Sequence, residues 1–496
     1  MNCDKKGRCS SQTLQRELAG FRLTTSRFYP GFSLARILDK TAECRVIKNR
    51  DRRQVYHLQT PEGGFFLKRT LANRPKDRWR HLLLPRRRWA EWRNLHRLRT
   101  ARVAAAGPVL RGETPRFHPK VFFLLTEEVR GCPLKRHLVA QAHQLGRYAA
   151  FLHSRGIYHA DWHPENILVG TDGRFFLIDA QEVYFLPWLP RRLRIHNLGK
   201  LFFHLRSQLL SDRWRQEFIS AYSQTYAQAV TAAEVTSAAD RHQQRHFRSR
   251  TKRCCRNSTE FMVLKEAGWR GFKRRDFSWG PAKLQQALVQ GQTVKPRRVL
   301  CYEGVCIKVH RRKWGHRDRC RTSWQMSRAL EVRGIGVPRA LGYCIVKPNS
   351  YFLSEFLVDS VLLNDYLSSL ADRRQKRRAL KRLALWVKKI HDRNIWQQDF
   401  KSSNILCRQG EYCMADLDGV KIRRLTNAQK VINLAQLNAS LGHAITGKDR
   451  LRFFYYYAGD DRLSRSQRRT LYRKVWDITR TKNTAVFGLD IEKIKL

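Results

Sequence analysis

Gly64-Phe65-Phe66-Leu67-Lys68 is a short apolar run behind a glycine, which predicts a strand with a lysine at its end. From Glu91 the pattern becomes periodic. Trp92, Leu95 and Leu98 recur every third residue and predict one buried face of a helix over Glu91–Leu98. A second apolar strand, Phe123-Leu124-Leu125-Thr126, closes on Glu127. A turn carrying Asp161 then leads, five positions on, to Asn166 and the short apolar run Ile167-Leu168. The next strand, Phe175-Phe176-Leu177-Ile178, ends on Asp179.

The same order of elements returns in the second half. Gly304-Val305-Cys306-Ile307-Lys308 matches the first lysine strand, and Tyr351-Phe352-Leu353-Ser354-Glu355 matches the strand ending on Glu127. Asp399 with Asn404 repeats the turn, and a strand ending on Asp416 repeats the one ending on Asp179. Asn433-Leu434-Ala435-Gln436-Leu437 repeats Asn197-Leu198-Gly199-Lys200-Leu201. Lys68 and Lys308 lie 240 positions apart and Asp161 and Asp399 lie 238 apart, with the Glu127/Glu355 pair shorter at 228. A near-constant offset over so many anchors reads as a duplication. It divides the chain into 1–237, a basic linker over 238–257, and 258–496. In the linker His, Gln, Arg and Lys crowd without apolar periodicity (Arg241–Arg256), the mark of a linker or an exposed basic helix. Glu260–Leu264 and Gly271-Phe272 predict a hairpin ahead of the Lys308 strand.

A length of 496 residues suits two or three domains, and 42% hydrophobic with 11% aromatic residues is a globular composition. Charge adds the next constraint. With 98 Lys and Arg against 41 acids, the formal net charge is +57. Such a field draws polyanions, whether nucleic acid, an anionic membrane surface or a phosphorylated glycolipid, and disfavours polycationic substrates. The N-terminal residues Met1–Arg22 read as lacking a signal peptide, and no apolar run approaches the roughly 18 residues of a membrane span. Twelve scattered cysteines without a Cys-x-x-Cys pair read as reduced cytosolic thiols, not a zinc site.

Phosphoryl transfer needs a cation on the nucleotide phosphates, an acid to hold that cation, a carboxylate beside the acceptor hydroxyl, and metal ligands. Lys68 and Lys308 fit the first role, although a surface lysine at a strand end is the plain alternative. Glu91 fits the second. Its counterpart is Ser323, so the second half is expected to lack this ion pair, and Glu331, over two turns further along, substitutes poorly. Asp161 and Asp399 fit the catalytic carboxylates. Asn166, Asp179, Asn404 and Asp416 fit the metal ligands. A lone Asp-x4-Asn is weak, since turns favour both residues. The full set, found twice with Lys-to-Asp separations of 93 and 91, is strong. Glu127 and Glu355 stand where a hinge would present its backbone to adenine, or simply where a buried strand ends. His163 and Glu165 fit substrate contacts and loop structure equally. No Gly-x-Gly-x-x-Gly precedes either lysine, so a less glycine-rich hairpin is expected over the phosphates.

These residues resemble the lipopolysaccharide kinase family of heptose and 3-deoxy-manno-octulosonic acid kinases. The run from His159 to Leu168 also looks, more distantly, like that of aminoglycoside and choline phosphotransferases. Leu330–Pro338, Asp399–Asn404, Asp416–Val420 and Asn433–Ser440 carry the closer match to the family. The resemblance implies an α+β fold of two tandem bilobal protein-kinase-like domains. It also implies ATP with Mg2+, and phosphorylation of a sugar in the lipopolysaccharide core or a lipid A precursor. The enzyme would sit peripherally on the cytoplasmic face of a Gram-negative inner membrane. Two departures stand out: Asp179-Ala180-Gln181 lacks the glycine of the usual metal-binding triplet, which Asp416-Leu417-Asp418-Gly419 keeps, whereas only the first half keeps a Glu91. Either half could therefore be a pseudokinase. A catalytically dead basic scaffold for nucleic acid or membrane is the alternative; it has arginine-rich stretches such as Arg86–Arg88 but no nucleic-acid motif.

Overall fold

The computed structural model describes residues 20–30, 32, 43–50, 53–72, 89–115, 121–134, 141–206, 211–226, 229–266, 268–295, 299–459 and 464–487. Arg86–Arg88 lie outside them. The chain divides into two compact units, Met1–Gln244 and Arg245–Leu496.

The first unit opens with strands β1 (Arg22–Thr25), β2 (Glu43–Arg50), β3 (Arg53–Thr60) and β4 (Gly63–Leu71). Helix α1 (Ala90–Thr100) and strands β5 (Pro108–Glu113) and β6 (Val121–Glu127) complete its N-terminal part. The strands form an antiparallel sheet in the order β1-β5-β6-β4-β3-β2. Period-two alternation sets its faces: Phe65 and Leu67 of β4 join Tyr56, Leu58 and Leu125 in a buried layer, and Lys68 points the other way. Beyond β6 come β7 (Gly131–Pro133), α2 (Ala142–Ser154), β8 (Ile157–His159), β9 (Ile167–Gly170), β10 (Phe175–Leu177) and β11 (Val183–Phe185). Helices α3 (Arg191–Leu205) and α4 (Asp212–Thr225) follow, and α5 (Ala232–Lys252) runs across the boundary between the units. The helical part packs around Leu145, Trp162, Leu198, Phe218 and Tyr222, all essentially solvent-free.

The second unit repeats the plan. It has β12 (Phe261–Glu266), β13 (Trp269–Arg274), α6 (Pro281–Gln290), β14 (Gln292–Lys295), β15 (Val299–Tyr302) and β16 (Val305–Arg311). Helix α7 (Arg319–Val332), β17 (Ala340–Val346) and β18 (Asn349–Glu355) follow, giving the sheet order β12-β13-β17-β18-β16-β15-β14. The hairpin expected ahead of Lys308 is β12–β13, with Val263 opposite Phe272. Its helical part holds β19 (Val361–Leu362), α8 (Leu363–Ser369), α9 (Arg373–Asp392), β20 (Ile395–Gln397), β21 (Ile405–Arg408), β22 (Glu411–Met414) and β23 (Val420–Ile422). Helices α10 (Asn427–Ser440), α11 (Gly447–Ala458) and α12 (Arg465–Phe487) close it. Helix α9 forms because Leu380, Leu383, Val387 and Ile390 share one buried stripe among arginines and lysines, and Asp372 caps its first amides. Reciprocal capping boxes, Thr426 with Gln429 and Thr446 with Asp449, start α10 and α11.

Each unit is thus an antiparallel sheet followed by a mainly helical lobe, the α+β bilobal kinase-like architecture twice over. Of the two readings of the basic stretch Arg241–Arg256 the helical one fits: it lies in α5 and a short 3-10 turn, Arg253–Cys255, which Arg256 closes. Two guanidinium groups, of Arg333 and Arg393, sit over the buried Phe247 ring. No helix among the described residues is long and apolar enough to cross a membrane.

Candidate active site

In the first unit β4 is flanked by β3 and β6, and Lys68 leaves it toward α1. Its ammonium donates to Glu91 Oε1, an acid in the first turn of that helix. Arg53 on β3 joins them, 3.7 Å from Glu91 Oε2 and 3.3 Å from Asp179 Oδ1. Burial alone would push the Asp179 carboxyl up; the charges of Lys68 and Arg53 outweigh it and hold the group below its ordinary value. Asp179 adopts a left-handed backbone (φ 54°), a conformation that aspartate tolerates better than most residues.

The loop after β8 carries the other carboxylate. Asn166 Nδ2 donates to the Asp161 carbonyl at 2.8 Å, and Ile178 N donates to the Asn166 carbonyl at 3.0 Å. These two bonds bring Asp161, Asn166 and Asp179 to one place. Lys200 of α3 donates to Asp161 Oδ1 at 2.8 Å and to the Ala160 carbonyl. Burial raises the Asp161 carboxyl, but the Lys200 hydrogen bond and charge prevail and leave it lowered. His163 Nε2 lies 3.6 Å from Asp161 Oδ2. Glu165 is exposed.

Beneath the loop runs a buried polar chain that the sequence did not reveal. Tyr222 OH meets His153 Nδ1 at 2.9 Å, His153 Nε2 meets Asn197 Oδ1 at 3.1 Å, and Asn197 Nδ2 donates to the His159 carbonyl at 2.7 Å. Since Asn197 Oδ1 only accepts, the His153 proton sits on Nε2 and the tyrosine donates to Nδ1. Burial pushes His153 down to about 4, so it is neutral.

The second unit reproduces the loop. Asn404 Nδ2 donates to the Asp399 carbonyl at 2.9 Å, Ala415 N to the Asn404 carbonyl at 2.9 Å, and Asn433 Nδ2 to the Gln397 carbonyl at 2.7 Å. His391 Nδ1 meets Tyr457 OH at 2.7 Å, and burial pushes this imidazole down to about 3. Gln397, standing where the first unit has His159, donates to the Asp416 carbonyl. The lysine is arranged differently. Ser323 is buried inside α7, and Lys308 turns to Asp416 Oδ1 at 2.7 Å and Asp418 Oδ2 at 3.4 Å. Burial would lower the Lys308 ammonium; the two carboxylates outweigh it and leave it raised. Glu331 is taken by Arg274 and Arg328. Asp399 pairs not with a helix lysine but with Lys401, at 3.0 Å, because Gln436 occupies the place of Lys200.

Glu127 and Glu355 end β6 and β18, and their amides donate to the carbonyls of Gly107 and Arg339. The Glu127 side chain reaches Tyr29, whose hydroxyl is pushed up to about 12 by burial and by that carboxylate. The hairpins β2–β3 and β14–β15 stand beside the lysine strands, with tips at 51–52 and 296–298 outside the described residues. Among the described residues no three His, Cys, Asp or Glu gather as a metal cluster. The donors present do suit Mg2+, which takes one or two protein oxygens and completes its shell with water and phosphate. Each unit offers one carboxylate and one asparagine, whose Nδ2 is spent on the loop and whose Oδ1 remains.

The missed residues had faint signals. Lys200 stands one helical turn from Asn197, and Asp418 two positions from Asp416. Arg53 had none, because it lies 126 positions from Asp179 and meets it only in the folded unit.

Residues 41–222 and 297–457 match the family model described as the lipopolysaccharide kinase (Kdo/WaaP) family. Among curated proteins, CBL-interacting protein kinase 20 of Oryza sativa subsp. japonica is 44% identical over 66 residues, 11% of this chain and only 14% of that relative's length. Among solved structures, WaaP in complex with acyl carrier protein is 18% identical, covering 45% of this chain and 97% of that one, with a TM-score of 0.33. An aminoglycoside-3'-phosphotransferase of type VIII is 15% identical, covering 39% and 91%, with a TM-score of 0.30.

Proposed function

Because the chain belongs to the lipopolysaccharide kinase (Kdo/WaaP) family, we propose that it transfers the γ-phosphoryl group of ATP to a sugar hydroxyl of the lipopolysaccharide inner core, at the cytoplasmic face of the inner membrane. One observation carries the reading: the family match spans both repeats and, in each, the residues that assemble the site. Mg2+ held by Asn166 and Asp179 would neutralise charge on the phosphates. Lys68, held by Glu91, supplies a fixed cation for the same phosphates. Asp161 accepts the proton of the acceptor hydroxyl as its oxygen bonds to the γ-phosphorus. The bond from that phosphorus to the β-bridging oxygen breaks, and ADP leaves. Lys200 keeps Asp161 ionised and aimed for this step.

The first unit is the one we assign to turnover. Its lysine rests on Glu91, an acid the metal does not need, and a metal at Asp179 displaces the longer Arg53 contact at 3.3 Å. In the second unit the lysine itself must give up Asp416, which it holds at 2.7 Å. The test is ATP-dependent phosphate transfer to purified lipopolysaccharide core by the whole chain. Asp161→Ala should reduce transfer at least about 1000-fold, and Asp399→Ala less than about tenfold. The reverse ranking moves turnover to the second unit. A wild type that transfers nothing and binds no magnesium-ATP overturns the kinase reading and leaves the basic scaffold in its place.

A further inference from the structure

Between β16 and α7 the chain makes a short excursion whose tip is Trp314-Gly315. A turn closed by His316 N donating to the Lys313 carbonyl, with Gly315 at φ +72°, projects the indole outward. Trp314 is wholly exposed; the next most exposed tryptophan among the described residues, Trp188, is at 68%. A lone apolar side chain on a surface needs no explanation. This one stands in a run, Arg311–Arg321, with six cations and a single acid. That acid is consumed inside the protein: Asp318 caps α7, accepts from Tyr343 and Ser350, and pairs with Arg312. Arg312 and Arg319 face Asp318 and Asp418, but among the described residues no acid pairs with Lys313 or Arg317, the cations on either side of the indole. The base of the excursion is fixed, by Arg312 N to the Pro348 carbonyl at one end and by the α7 cap at the other.

We propose that Trp314 and its flanking cations form a wedge that docks on an anionic lipid bilayer, the indole in the headgroup layer and Lys313 and Arg317 on lipid phosphates. Indole rings favour that layer because one edge is polar and the body apolar, and each nearby cation adds attraction to acidic headgroups. The wedge adjoins the second unit's site: Arg319 lies 3.9 Å from Asp418, and Cys320 donates from Sγ to the Lys308 carbonyl. Docking there would bring that cleft to the membrane surface. The inference rests on the reading of the acceptor as membrane-borne, but vesicles without acceptor test it separately.

The experiment is co-sedimentation of the full chain with phosphatidylglycerol/phosphatidylethanolamine vesicles, with phosphatidylcholine vesicles for comparison, and tryptophan quenching by brominated acyl chains. Wild type should bind the anionic vesicles and be quenched. Trp314→Ala should bind at least about fivefold more weakly and lose that quenching, and Lys313→Ser with Arg317→Ser should weaken binding by a further factor of about 20 or more. Transfer to a delipidated, soluble core acceptor should be unchanged in all variants. Equal binding and equal quenching in Trp314→Ala would show that the overall charge does the work and overturn the wedge. A loss of binding to a single-stranded oligonucleotide in place of vesicles would make the indole a base-stacking platform and overturn it equally. A failure of transfer with intact vesicle binding refutes the kinase reading and leaves the wedge standing.

Discussion

Three deeply buried histidines make the fold sensitive to acid. His153 and His159 are pushed down to about 4 and His391 to about 3, in each case chiefly by burial. Their folded values lie below the ordinary 6.5, so the unfolded chain takes up protons that the native one refuses. Stability is then whole above pH 6.5 and falls as pH drops from there toward 4, at about 1.4 kcal/mol per pH unit for each histidine. Urea midpoints measured from pH 7.5 to 5 should show that decline, and a flat profile between 6.5 and 5 would rule it out. Legibility at this scale followed covalent order. Lys68, Asp161, Asn166 and Asp179 were readable because the chemistry needs them in sequence and the chain repeats them. Lys200, Lys401 and Arg53 were not, because each meets its carboxylate through a tertiary approach or a choice among many cations that spacing leaves open.

At the scale of elements, the step from the long helix into the catalytic loop is a left-handed residue in both units: Gly156 (φ +66°) after α2, and Asn394 (φ 59°) after α9. At Gly156 a Cβ would stand 1.9 Å from the Leu186 carbonyl, whereas at 394 an asparagine already adopts the left-handed conformation. Gly156→Ala should therefore cost more than about 2 kcal/mol, strain and clash together, while Asn394→Gly should stay within about 1 kcal/mol. Chemical denaturation of each variant measures both, and a neutral Gly156→Ala would mean the loop relaxes freely. Helix α1 and strand β4 above all were visible from sequence, the helix because burial recurs with a fixed period and the strand as an apolar run. Helix α5 was harder to read: its exposed face carries the basic residues that resembled a linker, and its few buried positions, such as Phe247, gain their meaning only from the arginines stacked on them.

For the molecule as a whole the net charge of +57 dominates. Like charges repel one another more when the chain is compact, and salt screens that repulsion. The thermal midpoint should rise between about 20 mM and about 300 mM NaCl, as the screening length falls below the spacing of surface charges. A midpoint that drops with salt would show instead that attractive ion pairs prevail. The duplication itself was plain in the sequence, but the sheets it produced are not copies. Among the described residues one ends in the single strand β1 and the other in the hairpin β12–β13, and this difference bears on how the chain folds. Two similar halves on one chain are each other's most available wrong partner, since a strand of one can stray into the nascent sheet of the other. An edge built from one strand in one sheet and from two in the other gives a misplaced segment no matching register to settle into, so the asymmetry guards against exchange between the halves.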